Sequence, residues 1–121
     1  MKLDHILLYS SNLQASEEFY RKLGFVISET SDAHIVVRIK DFEIHCFDQT
    51  KVFFKQDVNR EKGAGVFVHI LVDNVDEKYQ DLMVKCIHPS SEPKDFEWGN
   101  REFAVKDPDG YRFVFYQKLS V

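Results

Sequence analysis

The sequence predicts an α+β fold: two βαβββ modules forming a curled mixed sheet with a shared groove. Three observations predict it. The start of the chain, "DHILLYSSNLQASEEFYRKLGF", returns at its middle as "VHILVDNVDEKYQDLMVKCI". His5 and His69 lie 64 positions apart (69 − 5), about half of the 121 residues, and a repeat on that scale fixes the architecture before any local reading does. Each copy also passes from a His-Ile-Leu strand through a polar turn with an Asn, Asn12 or Asn74, into a helix. Finally, runs of β-branched and aromatic residues follow each helix, as strands require.

The elements follow in order. The first helix is expected over Leu13 to Leu23, with Leu13, Phe19, Tyr20 and Leu23 on one apolar face. Ser11 or Asn12 can cap its start, and Gly24 suits a left-handed stop. "FVISET", "HIVVRI" and "FEIHCFD" supply three strands. "KQDVNREKGAGV" reads as a linker, so module one covers about 1–55, the linker about 56–65 and module two about 66–121. The second helix runs from about Val75 to Lys85, with Val75, Tyr79, Leu82 and Met83 inward and Asp73 or Asn74 as its cap. "IHPSSEPKDFEWGN" is polar and carries prolines, which suits a loop with at most a short strand. "REFAVK" and "YRFVFYQ" form a hairpin across Asp107-Pro108-Asp109-Gly110, where Pro presets the turn and Gly110 permits positive φ.

Composition narrows the function. Apolar residues make up 44% of the chain, enough for one packed domain. Aromatics reach 14%, with eleven Phe, beyond what a core of this size alone calls for. The net charge of −4 argues against nucleic acid and anionic membranes as partners. Cys46 and Cys86 have no CxxC spacing and read as free buried thiols of a reducing cytoplasm. "MKLDHILLYS" is too short and too charged for a signal peptide.

Strand parity decides which side chains face the groove. His5, Leu7 and Tyr9 share a face, as do His69, Leu71 and Asp73. Glu43, His45 and Phe47 share one, and so do Arg112, Val114 and Tyr116. Cys46 has the opposite parity from Glu43. Trp98, the lone tryptophan, is either a stacking wall for a flat ligand or a lid packed on the strands. The adjacent Phe53 and Phe54 cannot share one strand face, so one of them is expected to meet a partner chain or a ligand.

With "DHILLYSSNLQASEEFYRKLGF", "VHILVDNVDE" and above all "WGNREFAVKDPDGYRFVFYQ" in view, the chain resembles the vicinal oxygen chelate superfamily over essentially its whole length. That superfamily includes glyoxalase I, extradiol dioxygenases, fosfomycin-resistance enzymes and bleomycin-resistance proteins. The resemblance implies paired βαβββ modules, a site inside the groove, and a homodimer. In glyoxalase-like members a divalent metal binds there. By resemblance His5, Glu43 and His69 match three of its four ligand positions, and Val114 occupies the fourth.

Two imidazoles and a carboxylate can hold a divalent ion with open positions for water or substrate. Val114, however, can neither ligate nor take a proton, and glyoxalase-type isomerisation needs a base beside the metal. Glu43 is equally an ordinary strand residue that Arg38 or Arg112 could pair. No phosphate loop, nucleophile signature or paired glycosidase carboxylates are present in the sequence.

The leading expectation is therefore a metal-independent small-molecule-binding protein of the bleomycin-resistance type. It would need no cofactor and would hold a flat or cationic compound among His5, Glu43, His45, His69, Trp98, Arg101 and Tyr116. The alternative is a metal-dependent lyase, isomerase or thiol transferase, with Zn, Ni, Mn or Fe on His5, Glu43 and His69. A third reading is a protein-interaction module with its groove filled by Phe side chains.

Overall fold

The computed structural model describes residues 1–51 and 62–120. The expectations for Phe53, Phe54 and most of the linker lie outside the described residues. The chain divides into two compact units, residues 1–60 and 61–121.

In the first unit β1 (His5–Ser10) leads into α1 (Leu13–Leu23), then β2 (Val26–Thr30), β3 (His34–Ile39) and β4 (Phe42–Asp48). A 3-10 turn, Gln49–Lys51, ends the described part. The sheet order is β1-β4-β3-β2. β1 runs parallel to β4, and the other neighbours are antiparallel. α1 starts where the Asn12 side chain accepts the Ala15 N–H at 3.0 Å, satisfying one free donor of the first turn. It stops where Gly24 adopts φ 97° and Phe25 N–H reaches back to the Tyr20 carbonyl. Tyr20 and Leu23 of α1 are buried, and so are Ile35, Val37, Ile44 and Cys46. A Ser10–Ser16 hydrogen bond of 2.7 Å ties β1 to α1. Alternation then leaves His5, Leu7 and Tyr9 of β1, and Glu43, His45 and Phe47 of β4, on the face without a helix.

The second unit repeats the plan with β5 (Phe67–Leu71), α2 (Val75–Val84), β6 (Lys94–Asp95), β7 (Asn100–Lys106) and β8 (Arg112–Lys118). Its sheet order is β5-β8-β7-β6, with β5 parallel to β8. Asn74 caps α2 through the Glu77 N–H at 3.0 Å. The core combines Val75 and Leu82 with Phe103, Val105, Phe113 and Phe115, each at most 1% exposed. Tyr79 meets Phe103 edge-on at 5.3 Å, and the Gln117 side chain accepts the Val75 N–H at 2.6 Å. Those contacts define the helix side of the sheet, and its other face carries His69, Val114, Tyr116 and Glu102.

Two expectations are corrected. Met83, expected inward, is 42% exposed, because the α2 face that reaches the sheet ends at Leu82. Cys86, expected buried, is exposed, whereas Cys46 is buried on the helix side. Among the described residues, no helix is long and apolar enough to cross a membrane.

Candidate functional site

Each unit presents a set of polar and aromatic groups on its helix-free face. In the first, the β1–β4 register sets His5 beside Glu43 and Leu7 beside His45. The His5 and His45 rings stack with centroids 3.7 Å apart and planes 12° from parallel. Each ring has its own carboxylate: His45 Nε2 lies 3.1 Å from Glu43 Oε1, and His5 Nδ1 lies 2.8 Å from Asp4 Oδ2. The second Glu43 oxygen accepts from the Arg38 guanidinium across the β3–β4 pair. The His45 bond first, and then Arg38, hold the Glu43 carboxyl below its ordinary value of 4.5. Asp4 is likewise lowered by its bond to His5. An ionised carboxylate has no proton to give, so His45 donates from Nε2 and His5 from Nδ1. His34 packs elsewhere on this sheet, stacked on Phe47 at 5.0 Å with its Nδ1 2.8 Å from Ser31 Oγ.

In the second unit His69 meets Tyr116 edge-on at 5.9 Å. The Arg112 guanidinium sits 5.4 Å from the centre of the Phe67 ring on the same face. Val114 pairs in register with His69 and is 6% exposed, so its isopropyl group is packed. Trp98 is 60% exposed, lies on Phe96 with centroids 4.5 Å apart, and donates its Nε1–H to Glu102. It is thus tethered at one edge and open elsewhere.

Arg101 stands apart from this set. It pairs in register with Gln117, while Glu102 pairs with Tyr116, so Arg101 points to the helix side. Two of its nitrogens grip the Asp76 carboxylate at 3.0 Å each, and a third reaches Asp95 at 2.9 Å. Asp76 is pulled below the usual carboxylate range by that grip, and Arg101 is raised in turn. The residue clamps the first turn of α2 to β6 and β7, where an acidic side chain also suits the helix dipole. The missed signal was parity: Arg101 shares its strand face with Phe103 and Val105, two core residues. The same alternation turns Glu102 toward Tyr116, and the sequence reading did not single out Glu102.

Both Glu43 oxygens are already taken by Arg38 and His45. Val114 offers no donor atom. Among the described residues no group of three or more His, Cys, Asp or Glu is arranged to hold a metal ion. As they stand, these side chains do not fit a resident divalent ion.

The comparisons with known proteins agree with the fold. A family model described as the Glyoxalase/Bleomycin resistance protein/Dioxygenase superfamily matches residues 2–115. Bleomycin resistance proteins of Geobacillus stearothermophilus and Staphylococcus aureus are each 29% identical over 119 residues, covering 89% of this chain and 90% of theirs. A crystal structure of a glyoxalase/bleomycin resistance protein/dioxygenase from Nocardioides superposes with a TM-score of 0.82 at 21% identity, over 99% of this chain and 85% of that one. A bleomycin-binding protein complexed with bleomycin gives 0.66 at 19% identity over the full length of both chains. A lactoylglutathione lyase from Agrobacterium tumefaciens gives 0.71 at 18%, over 96% and 92%.

Proposed function

The chain belongs to the Glyoxalase/Bleomycin resistance protein/Dioxygenase superfamily, and from that premise we propose that it is a metal-independent binding protein for a flat or cationic small molecule. One observation carries the reading. Leu7, Phe67, Leu71 and Trp98 are 46, 51, 57 and 60% exposed, and they accompany the His5–His45 stack, Glu43, His69 and Tyr116 on or beside the helix-free faces. Exposed apolar area with a few convergent polar groups is the usual make-up of a ligand site. The proposed site is made of these helix-free faces, in a homodimer of a reducing cytoplasm. Cys46 and Cys86 form no disulfide, which suits that compartment.

The proposed mechanism is sequestration. Trp98 and the imidazole stack supply flat surfaces, and the ionised Glu43 favours positive charge. Val114 in place of a ligating base is what a site that performs no isomerisation would carry. Bleomycin is the first compound to test, because the 29%-identical relatives are named for resistance to it. Titration calorimetry with metal-free bleomycin is expected to give saturable binding at a Kd on the order of 1 μM or tighter. Added EDTA should leave it unchanged. Absence of heat up to millimolar ligand, or dependence on added Zn²⁺, would overturn the reading. Light scattering on the same sample should give twice the 14.3 kDa of one chain, and the mass of a single chain would remove the dimer.

A further inference from the structure

Glu102 is the one buried acidic side chain of the helix-free face of the second sheet, and although Lys94 stands opposite it in register on β6, no ion pair joins them among the described residues. It is 9% exposed. Its Oε2 accepts two hydrogen bonds, from Trp98 Nε1 at 3.1 Å and Asn100 Nδ2 at 3.2 Å. Both donors are neutral, and both act on the same oxygen. Among the described residues Oε1 has no hydrogen-bond partner, and no Lys, Arg or His forms an ion pair with the group. Its unpartnered oxygen is not among the buried unpartnered atoms of the described residues, so it is open to a donor brought by a ligand. Arg101, next in sequence, spends its guanidinium on Asp76 and Asp95 on the other face of the sheet.

The surroundings suit a ligand that brings a cationic donor to the free oxygen. Tyr116 on β8 and Lys94 on β6 are the cross-strand neighbours of Glu102. The Trp98 ring is fixed by its bond to Glu102 and by stacking on Phe96, with planes 15° apart. Lys94 Nζ lies 5.4 Å from the centre of the Phe96 ring, so the ring pair already receives one cation. A carboxylate with one free oxygen, hydrogen-bonded to a mostly exposed indole, can recognise two things at once: an N–H-bearing cation and the flat group attached to it.

We propose that Glu102 anchors the ligand's positive charge, so that the natural ligand is an aromatic compound bearing a protonated amine or amidine next to its ring. This rests on the small-molecule-binding reading above and narrows it. The charge goes to the second sheet, and the flat ring goes to Trp98.

The test uses two probes of equal shape, 1-naphthylmethylamine and 1-naphthalenemethanol, read by quenching of Trp98 fluorescence and by calorimetry. The native chain is expected to bind the amine at least about tenfold more tightly than the alcohol, the size of one hydrogen bond to a charged group. Glu102→Gln should lose that preference, its affinities for the amine and the alcohol becoming equal. Equal affinity of the native chain for both probes would overturn the inference and leave the binding reading intact. That comparison needs no variant, so it decides the matter even if Glu102→Gln fails to fold. Unchanged amine preference in a folded Glu102→Gln would also overturn it. If neither probe binds and bleomycin gives no heat, both readings fall together.

Discussion

Glu43 carries the electrostatics of the first sheet. It is ionised because His45 and Arg38 donate to it, and its pKa lies below the ordinary 4.5. A lowered carboxyl stabilises the fold at pH values above its unfolded pKa, and that contribution is lost as the pH falls through the lowered folded value. His45→Phe keeps a flat ring against His5 but removes the principal donor to Glu43. The Glu43 titration, followed by the carbonyl carbon shift in NMR, is expected to move up toward 4.5 in this variant. An unmoved midpoint would show that Arg38 alone sets it. Most of this cluster was legible in the sequence: parity placed Glu43 and His45 together, and Arg38 was one of two named partners. The Asp4–His5 bond was not legible, since neighbours in a strand point to opposite faces, and Asp4 makes the contact only because it precedes the first residue of β1.

At the scale of the element, the two helices end alike with different residues. α1 closes with Gly24 at φ 97°, with bonds from Gly24 N–H to Arg21 and from Phe25 N–H to Tyr20. After α2, Cys86 at φ 63° makes the same pair of bonds through Cys86 N–H to Met83 and Ile87 N–H to Leu82. A side chain in that region costs about 1–2 kcal/mol, which glycine avoids. Cys86→Gly is therefore expected to stabilise the chain by up to about 1 kcal/mol in urea unfolding, after the extra entropy of an unfolded glycine is deducted. A loss of stability would mean that the thiol makes packing contacts of its own. The α2 stop falls within one residue of the expected Lys85 although no glycine marks it. The α1 stop, both Asn caps and the Asp107–Gly110 turn were readable, because the residue types that each geometry demands stand in place. At that turn Asp107 Oδ1 accepts the N–H groups of Asp109 and Tyr111, both at 2.9 Å.

Over the whole molecule the repeat carries most of the information. It gave the βαβββ plan twice, and both four-stranded sheets follow it with matching strand orders. Alternation grouped His5 with Leu7 and Tyr9, Glu43 with His45 and Phe47, and Val114 with Tyr116, and the registers keep those groups together. Arg101 was misjudged because its strand was not counted in that way, and Glu102 was overlooked for the same reason. The central claim is that the helix-free faces bind a small molecule while the helix sides only hold the fold together. Amide and side-chain NMR shifts during a bleomycin titration test it most directly. The account predicts saturable shifts at His5, His45, His69, Tyr116, Glu102 and the Trp98 indole, with Arg101, Cys46 and Phe103 unmoved. Shifts confined to the helix sides, or none at saturating ligand, would contradict it.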